Sequence, residues 1–122
     1  MEKRLFAVRG ATGAHNTRSD IEEKIAELYD TILARNHIGE LDIVSIIFSV
    51  TPDLYARNPA AALRSSGRAG QVPLFCVAEP VSDDAPPAML RVLIHFYASG
   101  ETSPVFVYIN GAQALRPDLA SQ

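Results

Sequence analysis

Val72-Pro-Leu-Phe-Cys-Val-Ala-Glu79 and Met89-Leu-Arg-Val-Leu-Ile-His-Phe96 decide how this chain is read. Both are short apolar runs of the kind that form strands, and between them lies an acidic, Pro-rich loop carrying Asp83, Asp84, Pro86 and Pro87. Arg91 stands in the middle of the second run. A guanidinium cannot shed its proton, so within a buried strand it needs an anion. Glu79, which ends the first run, is one candidate; a bound substrate is the other.

Working outward, Leu5-Phe-Ala-Val-Arg9 reads as a first strand, with Leu5, Ala7 and Arg9 on one face and Phe6 and Val8 on the other. Gly10-Ala-Thr-Gly13 is expected to break that strand into a loop, Gly10 letting the backbone pass close to a ligand. Asn16 and Thr17 offer an N-cap, and Ser19 with Glu22 has capping-box spacing. Ile21, Ile25, Leu28, Tyr29, Ile32 and Leu33 then repeat at helical spacing, predicting an amphipathic helix of about five turns that ends near Asn36 to Gly39. Its Glu22, Glu23, Lys24, Glu27 and Asp30 form a solvated face.

Ile43-Val-Ser-Ile-Ile-Phe-Ser-Val50 is nearly all apolar and β-branched, as in a central strand covered on both faces. Thr51-Pro52-Asp53 stops it. Asn58-Pro59 supplies an N-cap and a first-turn proline for a short helix running to Ser66 and closed by Gly67, with Arg64 projecting from it. Pro104 to Ile109 reads as a further strand, with Phe106 and Tyr108 on one face. Asn110-Gly111 is a hairpin signal, after which Ala112 to Leu115 is expected to return as a short strand. Arg116-Pro-Asp-Leu119 forms an extended or turned tail. The order strand, helix, strand, short helix, strand, strand, hairpin, without repeats or linkers, gives one α+β domain spanning 1–122.

Composition narrows the function classes. The 122 residues are 48% hydrophobic and 20% charged, which suits a single core of ordinary make-up. With a net charge of −3, nucleic acid or an anionic membrane surface is not the default partner. Of the 11 basic residues only Lys3 and Lys24 are Lys, so the rest are Arg, the residue suited to forked contacts with carboxylate or phosphate. Cys76 is the only cysteine, which excludes an intrachain disulfide and a thiolate zinc cluster and fits a reducing, cytoplasmic setting. The apolar run before Arg9 is too short for a signal peptide, and no stretch approaches the ~20 apolar residues of a membrane span.

The arginines carry the chemical signal. Arg9 at a strand end and Arg91 within a strand stand where a solvated charge is not expected, and Arg64 and Arg116 add to a basic concavity or lie on the surface. Together they suit a small ligand with two or more carboxylates. Glu79 beside them can accept a hydrogen bond from a substrate hydroxyl, or be a loop acid. Cys76 in its apolar run reads as a packed thiol rather than a nucleophile, and His95 as a satisfied core histidine. His15, His37 and His95 show no metal-ligand spacing, and phosphate-cradling, dinucleotide and nucleophile-elbow motifs are missing. No cofactor or metal is expected. Such a site works by binding, orientation and electrostatics.

Val8-Arg-Gly-Ala-Thr12, Thr51-Pro-Asp-Leu54, Val72 to Glu79, Arg91-Val92, Val107-Tyr108 and Leu115-Arg-Pro-Asp-Leu119 resemble, in order and approximate spacing, the monofunctional bacterial chorismate mutases of the trimeric AroH type. The likeness runs from Leu5 to Leu119. It implies rearrangement of chorismate to prephenate on the way to phenylalanine and tyrosine. It further implies a mixed β-sheet with one long and one short helix packed on it, and a homotrimer whose sheets form a pseudo-barrel with sites in the clefts between subunits. The resemblance implies that Arg9 and Tyr108 bind substrate carboxylate, that Glu79 and Cys76 meet the ring hydroxyl, and that Arg91 reaches the ether oxygen. Arg64 of a neighbouring subunit and Arg116 would add positive charge, and Phe75 and Leu115 apolar wall. The sequence departs from the family at Asn58, where an aromatic is common, at Ala61, where lysine is common, and at Phe75, where a small hydroxyl residue is common. Two other readings are a RidA-like enamine or imine deaminase, which shares the trimer with interface clefts, and a non-catalytic carboxylate-binding trimer.

Overall fold

A computed structural model describes residues 2–115; the expected tail beginning at Arg116 lies outside the described residues. In chain order the elements are β1 (Lys3–Gly13), α1 (Arg18–Asn36), β2 (Ile43–Val50), α2 (Pro59–Ser65), β3 (Leu74–Ala78), β4 (Met89–Ser99) and β5 (Val107–Ile109). They form one five-stranded mixed sheet in the order β3-β2-β4-β1-β5. β1 and β2 lie antiparallel to β4, while β3 and β5 run parallel to β2 and β1. Among the described residues, no helix is long and apolar enough to cross a membrane.

Both helices lie where their caps start them. The Thr17 hydroxyl accepts the Asp20 N–H, and the Asp20 carboxylate accepts the His15 N–H at 2.6 Å, fastening the chain that leads into α1. That backbone hydrogen bond holds the Asp20 carboxyl below its ordinary value. At the other end His37 turns left-handed and Ile38 N–H reaches back to Leu33 O. Asn58 caps α2 by accepting the N–H groups of Ala60 and Ala61. Asn58→Ala therefore lowers stability by about 1 kcal/mol, a drop of roughly 4 °C in Tm that thermal denaturation followed by circular dichroism would read.

Cross-strand partners share a face, so the register divides the sheet into two surfaces. One carries Phe6, Val8, Ile46, Phe48, Leu90, Val92, Ile94, Phe96 and Val107, packed beneath Ile21, Ile25, Leu28 and Ile32 of α1 and Leu63 of α2. The other carries Leu5, Ile47, Phe75, Val77 and Tyr97, all substantially exposed, together with Arg9, Ser45, Ser49, Arg91 and His95. β2 was expected to be covered on both faces. In the single chain its Ser45, Ile47 and Ser49 side is open.

Three local expectations are corrected. The chain does not break at Gly10: β1 continues to Gly13, which pairs with Met89. A Cβ on Gly10 would stand 2.6 Å from Ile32 Cδ1 and 3.1 Å from Val107 O, so glycine is needed there to let α1 settle on the sheet. The expected strand from Pro104 is shortened to Val107–Ile109. Asn36 explains this, because its side chain donates to Val105 O at 2.9 Å and accepts Val105 N–H at 2.7 Å, occupying the groups a ladder would use. Finally, Asn110 and Gly111 do turn the chain with positive φ, but Ala112–Leu115 forms a 3₁₀ turn instead of a returning strand. Ala112 is fully buried against Ala11 and Met89, and the Asn110 carboxamide is held by Thr12 and Glu27, which draws the segment across the sheet end.

Candidate active site

The open face of the sheet gathers several of the residues singled out above. Arg91 faces Ser49 on β2 and Ala11 on β1, and Ala11 faces Tyr108 on β5. Because Ala11 is small, a hollow of about 110 Å³ opens between Arg9, Arg91, Tyr108 and Leu115. A second hollow of about 150 Å³ lies on the other flank of the two arginines, against Ile47, Ser49 and Leu93. Each is small for a pocket that would enclose an organic ligand unaided. Open depressions of about 430 and 440 Å³ lie elsewhere, around Lys3 and His37 and around His15 and Pro87. The first already has Lys3 paired with Asp42 at its wall and the second Lys24 paired with Asp20. Converging chemistry, not size, therefore makes the hollows at the arginines the candidate site.

Among the described residues Arg9 is held by an aromatic rather than by an acid, its guanidinium lying over the Phe106 ring 5.4 Å from the centroid. That contact positions the cation and leaves its charge in place. Arg91 brings Nε within 2.9 Å of Glu79 Oε1. Its buried N–H is out of line, however, and makes no hydrogen bond. The pair is an attraction without a closed fork. Glu79 itself sits just past β3, where its N–H continues the ladder to Val50 O, and its carboxylate side chain is only 11% exposed. Oε1 also accepts the Ser49 hydroxyl at 2.6 Å.

Other expected site residues stand apart from this cluster within one chain. Cys76 lies beside Phe48 on the helix-covered face and packs against the core, and burial pushes its thiol up, keeping it protonated. Phe75 lies on the open face but on edge strand β3, 67% exposed. Arg64 folds back from α2 to donate to Gly70 O and Val72 O, at the same edge. Arg116 falls outside the described residues. His95, expected as a core histidine, instead lies half-buried on the open face, because the register sets it opposite Ala7 and Ser45, with Ser45 Oγ 3.3 Å from its Nδ1.

Two contributors were not foreseen. Ala11 makes the hollow by being small, and its signal, an alanine in strand register with Arg91, cannot be seen before the pairing is known. Ser49 holds Glu79; its trace in the sequence is a hydroxyl interrupting the apolar β2.

The chain also has likenesses to known proteins that run along most of its length. Residues 5–119 match the family model described as chorismate mutase type I. The chain is 31% identical over 118 residues to chorismate mutase AroH of Bacillus subtilis (strain 168), covering 95% of this chain and 93% of that protein. It is 35% identical over 120 residues to chorismate mutase AroH of Thermus thermophilus, covering 93% and 98%. Its fold superposes on a chorismate mutase from Clostridium thermocellum with a TM-score of 0.81 at 34% identity, over 89% of this chain and 98% of the other.

Proposed function

Since the chain belongs to the chorismate mutase type I family, and is accordingly an isomerase, we propose that the hollow between Arg9, Arg91 and Tyr108 is where it rearranges chorismate to prephenate. The observation that carries this reading is the arginine pair on one sheet face, with Glu79 beside it and the Arg91 fork unclosed. The enamine-deaminase and carboxylate-binding readings gain nothing from any of the likenesses.

The reaction is unimolecular and pericyclic, so the protein need supply neither a nucleophile nor a proton. Two terms remain. The first is conformational: the substrate must be held compact, with the atoms that will bond brought together, and carboxylates clamped by Arg9 and Tyr108 do this. The second is electrostatic. Negative charge builds on the ether oxygen as its C–O bond breaks, and Arg91 is a fixed cation at that oxygen. Glu79 receives the ring hydroxyl and faces the positive side of the polarised ring. Leu115 and Phe75 supply apolar wall, and Arg64 and Arg116 add positive potential around the dianion. The Cys76 thiol faces the core, so within one chain it does not make the contact with the ring hydroxyl that the resemblance gives to Cys76.

In this reading the working unit is a homotrimer. The exposed apolar face of Leu5, Ile47, Phe75, Val77 and Tyr97 is a surface that association would cover. A hollow of about 110 Å³ needs further walls. Arg64 and Phe75 sit at the β3 edge, and Tyr108 and Leu115 at the β5 edge, so a cleft between adjacent copies is how both sets would reach one substrate. The unpaired Cys76 supports a cytoplasmic setting.

The test is the loss of chorismate absorbance with purified protein, beside sedimentation. Rapid conversion to prephenate by a species of three chain masses is expected. Mixing separately inactive Arg64→Ala and Arg91→Ala chains should restore part of the activity, because some mixed clefts regain both arginines. An inert wild-type protein would overturn the catalytic reading, and a fully active monomer would overturn the shared cleft.

A further inference from the structure

We propose that Ser49 is a positioning residue for the rearrangement, holding Glu79 so that the carboxylate and Arg91 stay close without closing on each other. This rests on the roles given above to Glu79 and Arg91. An arginine and a carboxylate at this distance ordinarily settle into a two-bond fork, which satisfies both and leaves neither free. Here they do not. Arg91 Nε is 2.9 Å from Glu79 Oε1, yet its N–H is out of line and unbonded.

Ser49 supplies the reason. It pairs with Arg91 across β2 and β4, on the same face, and its hydroxyl donates to Glu79 Oε1 at 2.6 Å. Glu79 comes from the next strand over, anchored by its N–H to Val50 O, the residue after Ser49. The carboxylate is thus fastened at both ends, through its backbone and through Oε1. Ser49 and Arg91 Nε both approach Oε1, and in this proposal Oε2 is assigned to the substrate's ring hydroxyl. The terminal nitrogens of Arg91 are likewise assigned to the ether oxygen. Without the serine hydroxyl the carboxylate rotates onto the guanidinium and forms the closed fork. That state is more satisfied and less useful, since substrate must then break it.

Steady-state kinetics on chorismate with Ser49→Ala, Ser49→Thr, Glu79→Ala and the double variant Ser49→Ala/Glu79→Ala test this, with thermal unfolding to verify folding. Ser49→Ala is expected to lower kcat/KM by roughly 10- to 100-fold, the range for a hydrogen bond to a charged acceptor, chiefly through kcat. Ser49→Thr, which keeps a hydroxyl in a strand position that favours β-branching, restores most of it. In the Glu79→Ala background the serine change costs nothing further, because there is no carboxylate left to hold. An equal loss in both backgrounds would mean that Ser49 acts only through packing and would overturn the proposal. So would a folded Ser49→Ala enzyme within about threefold of wild type while Glu79→Ala is impaired, or a folded Ser49→Thr no better than alanine. Wild-type activity in Glu79→Ala would instead remove the role of Glu79 itself, and the proposal with it.

Discussion

Arg91→Ala lowers kcat for chorismate by about two to three decades or more, the cost typical of removing one preorganised donor from a developing oxyanion. The protein stays folded. The guanidinium side chain is 38% exposed, so little packing is lost, and two electrostatic effects oppose each other. Glu79 loses its cation but keeps the Ser49 hydroxyl, while Arg9 is relieved of a like charge across the same hollow. A Tm close to wild type beside a collapsed kcat is therefore the expected pattern. Arg91→Lys recovers little, because a point charge on a flexible stem cannot replace a planar group held within a strand. Single-turnover kinetics at saturating chorismate separate this from weak binding. An Arg91→Ala enzyme within tenfold of wild-type kcat would remove Arg91 from the bond-breaking step.

The long helix was legible because its signals are local. Six apolar residues at helical spacing and the Thr17 cap all lie within the element they define, and the observed bounds, Arg18–Asn36, follow them. The α2 start at Pro59 was legible for the same reason. Misreadings arose where a residue's partner is distant in sequence. Gly10 reads locally as a breaker, but the groups it admits are Ile32 on α1 and Val107 on β5. Pro104 to Phe106 has strand composition, yet Asn36 takes the backbone groups of Val105 first. Ala112 to Leu115 has the look of a returning strand until Ala112 is seen buried against Ala11.

The site divides in the same way. Arg91 was conspicuous because a guanidinium within an apolar run is anomalous wherever it occurs, and its approach to Glu79 was one of two options that the sequence left open. Ser49 was invisible as a functional residue, since a serine in a strand is unremarkable until register sets it opposite Arg91. Cys76 shows the converse. It falls within the stretch that brings Glu79 to the site, but the two-residue period of β3 turns its thiol to the core.

Gly10→Val should unsettle the fold and the site together. The residue lies on the helix-covered face of β1, where even the first added carbon would meet Ile32 Cδ1 at 2.6 Å, Leu28 Cδ1 at 3.1 Å and Val107 O at 3.1 Å. The leucine and isoleucine ends can rotate, but the Val107 carbonyl is backbone, fixed by the parallel pairing of β5 to β1. Valine brings two further methyl groups into that gap, so α1 must lift or β5 must slide. Overpacking of this kind costs about 3 kcal/mol, or roughly 10–15 °C in Tm for a chain of this size. Its functional consequence follows from topology. β5 is three residues long and carries Tyr108, one wall of the hollow, and the 3₁₀ turn after it carries Leu115, another. In the proposed site a displaced β5 would therefore loosen the hold on the substrate carboxylate while Arg91, on β4, keeps its place. The expected kinetic signature below the lowered Tm is a raised KM with kcat reduced less, opposite to the pattern for Arg91→Ala. A Gly10→Val protein with unchanged Tm and KM would show that glycine is not what lets α1 and β5 close over this part of the sheet.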